Sequence, residues 1–263
     1  ASTGSVGGTG NSHTAANLGD GACLASSQYG SGSHGGVGWY SHSPSVWGTP
    51  YGSTFQPTSV GSGGQESYGG AAIRLTADTL VFDGSIAVDG SQSASNDHGG
   101  GSGGSVWVEA RLLRGSGGSI SAAGGAAKNN NAAGGGGGRV AVHCETSEYV
   151  GTFADFSGLP DVSVAGGVGG AGSTYATSRA GGSGTVYFDC GDATRALVLK
   201  NADAAVTKTT NLVDPGETSY AFDHIRLYNG AILGFAPDGV SGATVEVSVA
   251  SFGGDTTGKV QVA

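Results

Sequence analysis

The sequence predicts an all-β protein, a right-handed parallel β-helix or closely related solenoid with long glycine-rich loops. Three observations predict it. Glycine supplies 54 of the 263 residues, roughly three times the usual share of about 7%. At about 1 kcal/mol per interior glycine, few windows before position 191 can hold a helix. Apolar and polar residues alternate with period two in short runs, as half-buried strands require. Those runs return at a nearly constant spacing, which is what stacked units produce.

Four runs share one frame: Ile73-Arg74-Leu75, Val106-Trp107-Val108, Val140-Ala141-Val142 and Val186-Tyr187-Phe188, each entered from a glycine-rich loop. The steps between them are 33, 34 and 46 residues. A second short strand trails each of the first three, within 84–90, 118–125 and 160–167, and Ile86 to Ile120 is again 34 residues. The extra length of the third unit falls in loops around 146–158 and 166–184. One unit cannot bury its apolar face alone, so neighbours must stack, pairing in parallel at about 4.7–4.9 Å. Glycine is expected at the sharp turns of each unit, where a positive φ carries no steric cost. Crossover handedness selects the right-handed form.

Three parts follow along the chain. Residues 1–70 are a glycine- and aromatic-rich N-terminal part, 71–190 the repeat body, and 191–263 a β-rich C-terminal continuation holding only 9 of the 54 glycines. In the last part, alternating runs at 222–228 and 231–235 flank Asn229-Gly230. That dipeptide signals either a type I′ hairpin or a corner between two strands of one turn; the solenoid frame favours the corner. Further strands are expected at 244–250 and 259–262. The last runs to the chain end without a capping element, so the fold is expected to be completed by something else.

The segments GSGSHGGVG (30–38), YGSTFQPTSVGSGG (51–64), GGAAIRLTADTLVFDGSIAVDG (69–90), GGGSGGSVWVEA (99–110) and GGGGGRVAVHC (134–144) resemble the glycine-rich β-solenoid repeats of large extracellular proteins of protists and bacteria. That family includes surface, adhesin-like and filament-forming proteins. The resemblance spans roughly residues 20–190 and rests on the spaced strand motifs. It implies an extracellular or cell-surface structural role and carries no enzymatic chemistry.

Composition narrows the partners. The net charge is −9 and charged residues are only 12%. No basic stripe exists to drive nucleic-acid binding. No apolar run approaches the roughly 18 residues of a spanning helix, so no transmembrane segment is expected. The chain contains no Met and reads as a processed protein or a piece of a longer one. None of the nine asparagines begins an N-x-Ser/Thr sequon, which excludes N-glycosylation here. Self-association, or other subunits of an extracellular assembly, are the expected partners, with glycans as the second class.

Cysteine parity gives the most specific expectation. Cys144 and Cys190 each lie four residues after the frame positions Val140 and Val186. They therefore share a face on neighbouring turns, within the Cα separation a disulfide accepts. The bond implies an oxidising compartment. Cys23 is left unpaired or paired to another chain.

Other constellations carry weaker chemistry. No phosphate-loop motif occurs, and the glycine loops lead into strands rather than helices; no cofactor is expected. Glu109, His143 and Asp189 fall one residue before an inward Ala or Cys on three turns. They form the best acid/base row for a β-helix polysaccharide lyase or hydrolase, but no basic partner is evident in register. Asp83, Asp89 and Asp97 are loop acids with the chemistry for a stray calcium, although the repeat pattern for calcium is absent. His34 and His42 lack a third metal ligand nearby. A regular Thr-x-Thr ladder of the kind an ice-binding face needs is missing. Trp39, Tyr40, Trp47, Tyr51 and Phe55 put five aromatics into 17 residues. They form either a contact surface, for a subunit or for stacked sugars, or a plug over the end of the solenoid.

Overall fold

The computed structural model describes residues 2–5, 30–39, 48–64, 66–94, 96, 98–128, 132–149, 162–170, 179–191, 193–202, 208–212, 214, 217–235 and 244–262. Every regular element among them is a strand: β1 (Ser2–Ser5), β2 (Ala72–Val81), β3 (Ser85–Ala87), β4 (Ser105–Gly115), β5 (Ser119–Ser121), β6 (Arg139–Tyr149), β7 (Val162–Ser163), β8 (Thr185–Cys190), β9 (Ala193–Lys200), β10 (Thr209–Leu212), β11 (Ser219–Tyr228), β12 (Ile232–Phe235), β13 (Glu246–Gly254) and β14 (Lys259–Val262). The protein is all-β and its sheets are mostly parallel.

The repeat spacing becomes register. Ile73, Val106, Val140 and Val186 are successive Cα partners along the parallel strands β2, β4, β6 and β8. The trailing strands β3, β5 and β7 form their own parallel sheet, aligned through Ile86, Ile120 and Val162. A one-residue slip would turn every apolar side chain to the wrong face, so alternation fixes the parity of this alignment.

After Cys190 the chain does not add another parallel rung. Gly191, at φ +60°, reverses it, and β9 pairs antiparallel to β8. From there β9, β11 and β13 are parallel to one another. The result is one eight-stranded sheet in the order β1-β2-β4-β6-β8-β9-β11-β13, with a third sheet β10-β12-β14. The two small sheets cover opposite faces of the large one. On one face Val106, Val140, Val186 and Val198 pack with Ile120 and Val162. On the other, Tyr187, Leu197 and Leu199 pack with Leu212, Leu233 and Phe235. Strands buried on both faces tolerate little polarity, which explains the near-continuous apolar run Ala196–Leu199.

Asn229 and Gly230 both have positive φ, 53° and 66°, the dihedral signature of a type I′ turn. The strands they join lie in different sheets, so the turn is a corner, as the solenoid frame favoured.

Glycine has a different use from the one expected. Among the described residues, the positive-φ glycines are Gly52, Gly115, Gly191, Gly230 and Gly254, none of them within the long tracts. The tracts are extended segments packed side by side. The N–H groups of Gly134 and Gly137 donate to Arg179 and Gly182, those of Gly135 and Gly138 to Gly125 and Ala122, and that of Gly136 to Gly32. The stretch from Gly100 to Gly104 repeats the pattern, with partners Ala133, Ser91, Ser62, Gly136 and Val88 in turn. Donor direction thus repeats every three residues, as the three-residue turn of polyproline II requires. Each segment bonds to neighbours on three sides. A Cβ on Gly135 would fall on the carbonyl of Gly101, and one on Gly137 on the carbonyl of Val164. Close backbone approach, rather than turn geometry, is what excludes side chains there.

Candidate functional site

The acid/base row is assembled as the alternation predicts. Glu109, His143 and Asp189 are register partners across β4, β6 and β8. They line a shallow depression of about 440 Å³ together with Thr76, Arg111 and Glu145. No basic residue stands in register with Glu109, whose partner on β2 is Thr76, but one reaches it diagonally. Arg74 on β2 reaches Glu109 with two nitrogens, at 2.6 and 3.0 Å, and its guanidinium lies 3.9 Å above the Trp107 ring. The other two members are also engaged. His143 Nε2 is 2.7 Å from the carbonyl oxygen of Phe55, and the Tyr187 hydroxyl donates to Asp189. Burial, followed by the Asp189 charge, pushes the Tyr187 phenol up. These contacts tie the 51–56 segment and three strands together. Arg111–Asp78 and Arg114–Glu148 extend the row as exposed ion pairs.

A second polar cluster, with no signal in the sequence, lies inside. Arg139 ends a glycine run and starts β6, stacked in register between Ser105 and Thr185. Its side chain is fully buried. Nε donates to the Tyr51 carbonyl at 2.9 Å, and the two terminal nitrogens reach the Thr54 and Thr185 hydroxyls and the Asn211 carbonyl. Burial lowers its pKa to about 10, and the Asp214 carboxylate works against that shift. Asp214 in turn accepts the Thr54 amide at 2.8 Å. His34 is equally buried, and its Nδ1 donates to the Gly103 carbonyl at 2.8 Å. Burial first, and the Arg139 charge second, lower the His34 pKa to about 3, so the ring is neutral. The cluster fastens the N-terminal part, Asn211 and Asp214 to the glycine layer.

The described aromatics of the 39–55 group are tied into this packing. The Tyr51 hydroxyl donates to the Val60 carbonyl at 2.6 Å, and its ring lies 4.7 Å from that of His34. Phe55 meets Tyr187 edge-on at 4.8 Å and also approaches Tyr220 and Phe222. Both rings are half-buried, and Phe55 covers part of the apolar sheet face beneath it. Lys208 sits 3.3 Å above the centre of the Trp39 ring. Tyr40 and Trp47 lie outside the described residues.

Cys144 and Cys190 form the expected disulfide, with Cα atoms 4.3 Å apart. Cys23, Asp97 and His42 lie outside the described residues. The two loop acids that are described serve neighbouring units. Asp83 accepts the Ser116 and Gly117 amides, and Asp89 accepts the Ala123 amide and the Ser121 hydroxyl. Among the described residues, no group of three or more His, Cys, Asp or Glu is placed to hold a metal ion. No described helix is long and apolar enough to cross a membrane.

No protein-family model, no curated protein and no solved structure matches the chain.

Proposed function

We propose that this chain is a non-enzymatic structural module of the extracellular space or cell surface, a right-handed parallel β-solenoid built to be stacked into a longer solenoid or filament. One observation carries the reading: the polar groups of each unit are spent on the units beside it. Backbone amides of the glycine tracts, the carboxylates of Asp83 and Asp89, and the Arg74–Glu109 pair all bridge between units. The disulfide clamps two rungs separated by the longest insertion, in keeping with an oxidising compartment. Electron microscopy of the native material tests the proposal. Regular fibres or extended rods support it. Monodisperse particles that bind a glycan array would favour an adhesive module instead.

A further inference from the structure

We propose that the module joins a second copy of itself head to tail, the outer edge of β13 on one copy pairing antiparallel with the outer edge of β2 on the next. The inference rests on the assembly reading above and gives it a junction.

Strand direction supplies the first argument. Because β9 turns back on β8, the strands β9, β11 and β13 run opposite to β2, β4, β6 and β8. A copy shifted along the sheet, with its faces preserved, therefore meets β13 with an antiparallel β2. The chain already contains that kind of junction at β8–β9. The β2 edge also already accepts an antiparallel strand, since β1 pairs with Ala72–Leu75. Among the described residues, Ala77–Val81 on that edge and all of β13's outer edge carry no pairing strand.

Side-chain chemistry supplies the second. Six large apolar side chains are exposed among the described residues, and four of them lie near the sheet ends: Val81 on β2 beyond its pairing with β1, Val249 and Phe252 on β13, and Val260 on β14. Soluble proteins guard open edges with lysine, proline or inward charge. The sequence of β13, EVSVASFGG, has neither lysine nor proline. On β2, Arg74 and Asp78 are both turned to partners on β4. A contact between two different edges does not close on itself, so it propagates as an open fibre.

Two exposed positions test the junction on the full chain: Phe252→Glu and Val81→Lys. The wild-type chain should show a sedimentation-average mass that rises with concentration through tens of micromolar. Each variant alone should raise the concentration at which assemblies appear by about tenfold or more, since each places an unpaired charge in the junction. An equimolar mixture should restore assembly, because every second junction then pairs Glu with Lys. Circular dichroism checks that both variants fold, and Val249→Glu replaces Phe252→Glu if that variant does not. A wild-type chain that stays monomeric overturns the proposal. So does a block by Val81→Lys alone with no effect of Phe252→Glu, which would mean that β2 pairs with β2. Fibres that neither substitution alters would overturn this junction while leaving the structural reading of the module intact.

Discussion

The Nδ1–H of His34 donates to the carbonyl of Gly103, 69 residues away, inside a layer that admits no solvent to either group. That bond by itself favours the protonated ring, but burial and the Arg139 charge outweigh it and hold the imidazole neutral. The Arg139 guanidinium faces it, the Tyr51 ring lies against it, and Asp214 is the carboxylate beyond Arg139.

Stability should therefore fall on acidification through a window set by His34. Its pKa is about 3 in the folded chain against 6.5 as the ordinary value. Between those values the unfolded chain binds more protons, so stability rises with pH and is lost as pH drops from 6.5 towards 3. The full loss is on the order of 5 kcal/mol. Urea midpoints measured from pH 7 to 3.5 should decline more steeply for wild type than for His34→Asn. Parallel slopes would show that His34 is not the group responsible.

Reduction should cost about 4 kcal/mol, the chain-entropy value for a 46-residue separation between Cys144 and Cys190. Denaturant unfolding with and without reductant measures it, and Cys144→Ser/Cys190→Ser should match the reduced wild type. Peptide mapping that links Cys23 to either partner would contradict the register.

Gly135→Ala should destabilise by about 3 kcal/mol or more, because its methyl meets a backbone carbonyl that cannot rotate aside. Gly117→Ala is the control, since a Cβ there meets nothing within 4 Å. Equal thermal midpoints for the two would refute the close-packed layer.

Arg139→Met should cost about 3–5 kcal/mol by leaving buried acceptors without a donor. Arg139→Lys should recover less than half, because one ammonium cannot reproduce a planar fork. Recovery to wild-type unfolding midpoints in Arg139→Lys would mean that charge alone matters.

Calcium should leave the unfolding midpoint unchanged, since one oxygen of each of Asp83 and Asp89 is already engaged by donors of the next unit. Asp89→Ala should lower stability by about 1–2 kcal/mol. A calcium-dependent rise in midpoint that Asp89→Ala abolishes would reverse this assignment.

Alternation and spacing by themselves determined the in-register stack of β2, β4, β6 and β8, the companion strands, and the Cys144–Cys190 pair. The reason is local: period-two patterning puts Val106, Val140 and Val186 on one face, and the matching start of each run after its glycine loop selects among the even shifts. Tertiary structure alone decided three things. Alternation in 193–200 buries the same residues in a parallel or an antiparallel partner, so the reversal at Gly191 depended on contacts made far along the chain. Arg139 looks like any strand-leading arginine until Tyr51, Thr54 and Asp214 surround it. The tract glycines read equally well as turns or as packing. Only neighbours from other units, arriving on three sides of each segment, show that the missing side chain is what lets the backbones bond to one another.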